Sequence, residues 1–275
     1  LPDSAPVAVG WALASQQSGS GVVAVANCGE GATATGTWPE SINMAGVLNL
    51  PVVFTVQNNQ FAYSSPNETE FGTPNVADRA AGYGIPAKII DGNDIYEVID
   101  VMHEACENAR NGNGPSLIEL VTFRHYGHAG HDPAEYVNDE VREFWMKRDP
   151  IARFEDSLVE EGFFTTEQFV SLNEELDAEI KETLDWAKNQ KDPEPQNEVP
   201  DMFAERTNPV IQNDGSSKET MNFIEAITNG LDELMEDDEN VFMMGEDIGV
   251  FEGAFKATKG LFNKYGPFRV IDTSI

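Results

Sequence analysis

The pattern of apolar positions divides the first half of the chain into alternating strands and helices. Four short runs rich in apolar and β-branched residues indicate buried strands. They are residues 21–28, 50–59, 84–94 and 115–123. Residues 94–110 instead have apolar positions at helical spacing, which predicts a helix with one apolar face. This alternation predicts an α/β fold, a doubly wound parallel sheet with helices on both faces.

A further helix is predicted from Thr37 to about Asn49. Thr37 and Glu40 have the spacing of a capping box, in which each side chain bonds the backbone N–H of the other residue. Pro39 is compatible with the first turn of a helix, where its missing N–H is not needed. We therefore expect Thr37 to cap this helix.

The pattern changes after the polar loop that follows the fourth strand. Residues from about 150 to 188 are charged and have helical periodicity, whereas the next stretch is rich in Pro, Asn and Asp. An amphipathic helix and two apolar runs then indicate a second αβ unit. The predicted parts are a first domain with C-terminal helices at 1–188, a linker at 189–217, and the start of a second, similar domain at 218–275.

Composition excludes several classes of protein. The 275 residues include 48 acidic and 17 basic side chains, so the net charge of −31 would repel a nucleic-acid backbone. Two cysteines are too few for a disulfide framework or a thiolate metal site, and no run of about 20 apolar residues could span a membrane. The first residues do not have the pattern expected of a signal peptide. We expect a soluble protein of the bacterial or archaeal cytoplasm, with the mitochondrial matrix as an alternative.

The first residue is not Met, and the second αβ unit stops on a strand. We therefore expect the chain to be part of a longer protein, truncated at both ends. A targeting signal at the start of that protein would then be missing from this sequence.

Two loops at the predicted carboxyl edge of the sheet could bind a metal and a phosphate. Ligands of open parallel sheets bind beyond this edge. In Gly29-Glu30-Gly31-Ala32 the glycines allow close approach of the backbone to a phosphate, but a carboxylate would repel a diphosphate unless a cation lay between them. Asn58-Asn59 ends the next strand and offers neutral oxygen ligands to the same Mg²⁺ or Ca²⁺. Either loop alone is more often a plain turn.

Two further polar groups follow predicted strands. The loop after the fourth strand contains His125, His128, His131 and Asp132, which suit either a zinc site or a plain surface loop. Glu246 follows the first apolar run of the second unit, where a carboxylate is often only a turn or a helix cap. These residues by themselves leave both alternatives open.

The same loops carry a resemblance to a known family. Residues 29–66, 83–98, 114–136 and 149–154 closely resemble the alpha subunit of the decarboxylating component of 2-oxo acid dehydrogenases, in the same order. The resemblance covers nearly all of residues 1–205, and residues 218–275 resemble the start of the beta subunit. The chain is therefore similar to an alpha–beta fusion. The resemblance implies a thiamine diphosphate-binding fold.

The resemblance implies a cofactor and a metal. Glu30, Asn59 and the backbone carbonyl of Phe61 match the ligands of Mg²⁺, and the amides of Gly31 and Ala32, after Gly29, match the diphosphate loop. Many family members have Asp where this chain has Glu30. Glu between two glycines resembles the branched-chain class, although its extra methylene changes the reach to the metal.

The resemblance also implies two catalytic residues. His128 matches a histidine that binds the cofactor phosphate and shapes the entrance to the active site. Ala129 stands where some relatives have a phosphorylated serine, so phosphorylation is not expected there. Glu246 matches the residue that bonds a ring nitrogen of the cofactor's aminopyrimidine, whereas Asp247 is expected to be structural. His125 and His131 match no ligand.

The implied function is oxidative decarboxylation of a 2-oxo acid, either branched-chain or pyruvate, with acyl transfer to a lipoyl group. The implied partners are a lipoylated dihydrolipoyl acyltransferase and further copies of this chain, with no nucleic acid and no membrane. An acetoin dehydrogenase-like enzyme is one alternative. The other is an inactive fragment or binding module that keeps the fold, and we expect the chain alone to be inactive.

Overall fold

The computed structural model describes residues 2–192 and 220–274. Most of the predicted linker therefore lies outside the described residues. The strands are β1 (Ala24–Gly29), β2 (Val52–Asn58), β3 (Phe61–Ala62), β4 (Ser65–Pro66), β5 (Ala87–Asp91), β6 (Ser116–Val121), β7 (Met243–Gly245) and β8 (Val270–Asp272). The helices are α1 (Ser4–Ser18), α2 (Thr37–Val47), α3 (Asn67–Glu70), α4 (Ile95–Arg110), α5 (Asp139–Met146), α6 (Pro150–Glu160), α7 (Thr166–Lys188), α8 (Phe223–Asp237) and α9 (Leu261–Tyr265).

The main sheet confirms the predicted fold class. It has four parallel strands in the order β1-β2-β6-β5. The buried residues of α1 and α2 pack with Phe54 and Leu117 on one face, whereas those of α4 pack with Val53 and Ile118 on the other. Because neighbouring residues of a strand point to opposite faces, the near-continuous apolar runs bury both faces of the sheet.

The strand register places the predicted loops at one edge of the sheet. Gly29, the last residue of β1, lies beside Gln57 of β2. Asn58, the last residue of β2, lies beside Val121, the last residue of β6. The chain segments that leave these three strands therefore start within a short distance of one another.

The predicted capping box of α2 is wrong. The N-cap is Gly36 with no side-chain cap bond, and Thr37 is already the first helical residue. A short 3₁₀ segment at Glu30–Ala34 precedes the helix, and the Trp38 N–H donates to the Thr35 carbonyl at 3.2 Å. Since the turn before the helix supplies this backbone acceptor, Thr37 does not occupy the capping position.

The helical stretch at 150–188 is interrupted between α6 and α7. Gly162 adopts a φ of 76°, a left-handed conformation that favours glycine and ends a helix. The next helix begins with a true capping box, in which Thr165 and Gln168 bond each other's backbone N–H groups. A helix that the sequence analysis missed, α1, packs its alanine-rich face into the main core.

The C-terminal unit contains a second, smaller parallel pair. Strands β7 and β8 pair over three residues each, and Met235, Leu261 and Val270 form the core beneath them. The Gln17 amide of α1 donates to the Phe268 carbonyl at 2.8 Å, so this unit contacts the helical layer over β1. Across the described ranges, none of the helices combines the length and apolarity that crossing a membrane requires.

Candidate functional site

The two loops predicted to meet do so through Glu30 and Asn59. Glu30 follows β1 directly and is 1% exposed. Its Oε2 accepts hydrogen bonds from the backbone N–H and the side-chain Nδ2 of Asn59, both at 3.1 Å. The crossover from β1 to β2 therefore brings the carboxylate and the amide into direct contact at the carboxyl edge of the sheet.

Two buried oxygen atoms of this pair have no hydrogen-bond donor among the described residues. They are Glu30 Oε1 and Asn59 Oδ1. Burial raises the pKa of Glu30 above its ordinary value, and the hydrogen bonds to its own backbone and to Asn59 oppose that rise. An unpaired buried acceptor is costly, and a hard cation prefers carboxylate and amide oxygens. These two atoms therefore fit the predicted cation.

In the loop after β1, close packing requires glycine at position 31. A Cβ on Gly31 would lie 2.5 Å from the Cβ of Ala62, so any other residue would force the two loops apart. A Cβ on Gly29 would meet nothing within 4 Å. Glu70 contributes a second carboxylate nearby, and its charge also raises the pKa of Glu30.

Phe61, the third predicted ligand, lies in β3 with its carbonyl close to a guanidinium. Arg124 Nη1 donates to this carbonyl at 3.4 Å, and Arg124 Nη2 donates to the Tyr63 carbonyl at 2.6 Å. A carbonyl oxygen has two lone pairs, so the long bond from Arg124 leaves one free for a ligand. Arg124 thus holds the backbone of the loop that carries Phe61.

Asp132 holds the histidine loop together through hydrogen bonds within the loop. Asp132 Oδ2 accepts from the His128 N–H and from the Tyr136 hydroxyl, both at 2.7 Å. These bonds, with one from the Ala134 N–H, lower the pKa of Asp132 to about 2. Arg124 donates to the Tyr136 hydroxyl at 2.5 Å, and its bonds to the Phe61 and Tyr63 carbonyls join this loop to β3.

The three histidines of this loop occupy different environments. The exposed His128 ring lies edge-on to Tyr63, with ring centroids 4.9 Å apart. His125 Nδ1 lies 3.5 Å from Asp149 Oδ2, and His131 is exposed. No three His, Cys, Asp or Glu side chains cluster as a metal site anywhere in residues 2–192 and 220–274, so the zinc alternative has no ligand set there.

Glu246, the second predicted catalytic residue, is not brought to this cluster. It follows β7 in a turn, and its side chain is exposed. Within the part of the chain that the structure describes, it forms no hydrogen bond to the loops that carry Glu30, Asn59 or His128. Its role therefore stays a prediction.

Three residues that support the loops were not predicted from the sequence. Glu119 is 0% exposed in β6 and accepts from the Asn58 side chain. Arg79 donates to Thr33 behind the Glu30 segment. Asn67 donates to Asn58 Oδ1 at 2.7 Å. A charged residue inside the apolar run that predicts the fourth strand was the available signal for Glu119.

The fold and the site define a class of protein. A doubly wound sheet with a buried carboxylate and an amide at its carboxyl edge is typical of α/β proteins that bind a cofactor there. Residues 3–196 match the family model described as dehydrogenase E1 component. The chain therefore belongs to the dehydrogenase E1 component family. Residues 219–275 match the transketolase, pyrimidine binding domain, and the two matches together imply thiamine diphosphate as the cofactor.

Curated relatives have related names. The alpha subunit of an acetoin:2,6-dichlorophenolindophenol oxidoreductase from Cupriavidus necator is 34% identical over 204 residues, or 74% of this chain and 61% of that protein. The pyruvate dehydrogenase E1 component subunit alpha of Bacillus subtilis is 36% identical over 196 residues, covering 70% and 52%. The 3-methyl-2-oxobutanoate dehydrogenase subunit alpha of Mycobacterium tuberculosis is 39% identical over 181 residues, covering 64% and 49%. The chain thus spans about half to three-fifths of these relatives.

Proposed function

We propose that this chain forms part of a thiamine diphosphate-dependent enzyme that oxidatively decarboxylates a 2-oxo acid. The observation that carries the proposal is the contact between Glu30 and Asn59, which leaves two buried oxygens without a donor among the described residues. Membership of the dehydrogenase E1 component family supports the same reaction. When bound, thiamine diphosphate supplies a nucleophilic carbon and accepts the electrons released as CO₂ leaves.

The first role of the chain is to hold the cofactor's diphosphate through a divalent cation. Glu30 and Asn59 would bind Mg²⁺ through their unpaired side-chain oxygens, and Phe61 through its backbone carbonyl. The cation would lower the cost of the buried Glu30 charge, since burial is what raises the pKa of this carboxyl. Ca²⁺ has the same ligand preference and is the alternative ion.

The second role is to bind the diphosphate itself. The backbone of Gly29, Gly31 and Ala32 would lie along it, because the absence of side chains at the two glycines permits close approach. His128 would contact a phosphate from the loop that Asp132 and Arg124 hold in place.

The third role is proton transfer, which we assign to Glu246. Its carboxyl would bond a ring nitrogen of the aminopyrimidine and move a proton there. Such a group works best in a cleft that excludes water, where its affinity for protons is tuned by burial. Since Glu246 is exposed in the described structure, we propose that another copy of the chain covers it in a homo-oligomer.

The names of the relatives support three candidate substrates. They include a pyruvate dehydrogenase, a 3-methyl-2-oxobutanoate dehydrogenase and an acetoin oxidoreductase. We propose pyruvate or a branched-chain 2-oxo acid as substrate, with acyl transfer to the lipoyl group of a dihydrolipoyl acyltransferase. Acetoin is the second candidate, because relatives of comparable identity carry that name.

Thermal melting of the full-length protein tests the cofactor. Thiamine diphosphate with Mg²⁺ should raise the melting temperature more than either alone, since a ligand at 100 times its Kd adds about 2.7 kcal/mol. Asn59→Ala should abolish the increment, whereas Asn113→Ala, an exposed asparagine at the opposite edge of the sheet, should keep it. Equal melting curves with and without the pair would refute cofactor binding and favour a binding module that keeps only the fold.

A substrate panel then tests the reaction. CO₂ release from pyruvate and from 3-methyl-2-oxobutanoate is followed with an artificial electron acceptor, and acetoin cleavage is measured in parallel. Turnover of acetoin alone would overturn the 2-oxo acid proposal in favour of the second candidate.

A further inference from the structure

Glu119 is a buried carboxylate that the proposed reaction does not use. It lies in the middle of β6 between apolar residues and is 0% exposed. Its Oε1 accepts from Asn58 Nδ2 at 2.6 Å, and its Oε2 accepts from the Ala77 N–H at 2.7 Å. A buried charge is costly unless it is fully hydrogen-bonded, and an apolar residue would suit the interior of a parallel strand better. The function of Glu119 is therefore sought in the two segments that its hydrogen bonds reach, at Asn58 and Ala77.

The bond to Asn58 fixes the orientation of that side chain. With its Nδ2 on Glu119, Asn58 turns its Oδ1 toward the loop after β2. There Oδ1 accepts from the Gln60 N–H at 3.2 Å and from Asn67 Nδ2 at 2.7 Å. Gln60 adopts a φ of 77°, an unfavourable conformation that needs such support. The neighbouring Asn59 is thereby placed to bond Glu30.

The bond to Ala77 reaches the other loop. Ala77 begins a 3₁₀ segment, Ala77–Tyr83, that carries Arg79. Arg79 Nη1 donates to the Thr33 carbonyl at 3.2 Å, and Nη2 donates to the Thr33 hydroxyl. Thr33 lies three residues after Glu30 in the same 3₁₀ segment. One carboxylate thus connects to both loops that meet at the cation site.

We propose that Glu119 is a positioning residue that holds the Glu30 segment and the Asn59 loop in the register required for cation binding. It contacts neither the cation nor the cofactor and acts through Asn58 and Ala77. The cation part of this inference rests on the proposed function, whereas the positioning of the loops does not.

The test is the isosteric variant Glu119→Gln in the full-length protein. The carboxamide of Gln has only one acceptor oxygen, so it can accept a hydrogen bond from Ala77 or from Asn58 but not from both. Its NH₂ group would then face the remaining N–H donor, and that hydrogen bond would be lost. Without any cofactor, amide hydrogen exchange in residues 30–34 and 58–63 should accelerate about tenfold or more. With thiamine diphosphate present, the Kd for Mn²⁺, followed by its electron paramagnetic resonance signal, should rise about 10- to 100-fold.

A rescue variant separates positioning from general stability. Combining Asn58→Asp with Glu119→Gln restores the network with reversed polarity, because the carboxamide at 119 then donates to the carboxylate at 58 and accepts from Ala77. This pair should recover most of the Mn²⁺ affinity. Ile118→Val, on the opposite face of the same strand and outside the network, should change neither exchange nor Mn²⁺ affinity.

Three outcomes would overturn the proposal. They are wild-type exchange and Mn²⁺ affinity in folded Glu119→Gln, equal losses in Ile118→Val, and no recovery in the rescue variant. If the wild-type protein itself bound no Mn²⁺ with thiamine diphosphate, the proposed function would fail, and the exchange measurement alone would decide whether Glu119 holds the two loops.

Discussion

Two glutamates that each follow a strand have opposite environments. Glu30 follows β1 in the four-stranded sheet, is 1% exposed and bonds the next loop. Glu246 follows β7 in a two-stranded sheet and is exposed. The same local pattern, a carboxylate at a strand end, thus gives a preformed site only where neighbouring strands supply a second loop to cover it. A site residue needs the surrounding sheet as well as its own position in sequence.

The largest effect is expected for Glu246→Gln in the full-length protein. If Glu246 transfers a proton at the cofactor, decarboxylation should fall about 10²- to 10⁴-fold while thiamine diphosphate still stabilises the protein. The measurement pairs a CO₂-release assay with thermal melting. Retention of full activity would remove the assigned role and leave Glu246 as a turn residue.

The next largest effect is expected on the free energy of unfolding, in a comparison of Gly31→Ala with Gly29→Ala. The new methyl group at 31 would overlap the Ala62 side chain, so this variant should lose about 1–3 kcal/mol of unfolding free energy. A methyl group at 29 has open space, and its effect should stay within about 0.5 kcal/mol. Urea denaturation of both variants measures the difference, and equal losses would contradict a tight contact at Gly31.

Glu30→Gln is expected to raise the free energy of unfolding, by less than Gly31→Ala lowers it. Burial raises the folded-state pKa of Glu30, so the folded state binds this proton more tightly than the unfolded state does. The stability that this proton gives is present below the ordinary carboxyl range and is lost as pH rises through the raised pKa. Without Mg²⁺ at pH 8, the variant should therefore be more stable than the wild type.

The same variant should lose the increment from Mg²⁺ with thiamine diphosphate. Glu246→Gln, as the exposed counterpart, should shift unfolding without ligand by less than about 0.5 kcal/mol. Melting curves from pH 5 to 8, with and without the ligands, measure both. A destabilised Glu30→Gln variant in the absence of Mg²⁺ would show that the carboxylate is already well compensated.

The smallest effect concerns Asp132→Asn in the histidine loop. Hydrogen bonds from His128, Tyr136 and Ala134 lower the pKa of Asp132 to about 2. A lowered pKa gives stability above the unfolded value, and this stability is lost as pH falls from about 4 to 2. The wild type should therefore lose more stability than Asp132→Asn across that window, with Asp139→Asn, an exposed neighbour, as the control. Parallel melting curves for wild type and Asp132→Asn would refute this network.

Several elements could be predicted because their information is local. The apolar runs predict β1, β2, β5 and β6, since a strand buried on both faces has few polar positions. The meeting of Glu30 and Asn59 follows from one crossover between adjacent parallel strands. The cap of α2 failed because a backbone carbonyl in the preceding turn, at Thr35, took the place of a side chain.

The sequence by itself determined the alternation of strands and helices, the family and the two loops at the sheet's carboxyl edge. Only the tertiary structure decided that Gly31 alone of its loop's two glycines is in close contact, that Arg124 joins the histidine loop to β3, and that Glu119 links three segments. Local patterns set the backbone direction and which faces are apolar. Contacts between residues distant in sequence depend on strand order and register. These bring Asn58 Nδ2 and the Ala77 N–H to 2.6 and 2.7 Å from the two carboxylate oxygens of Glu119.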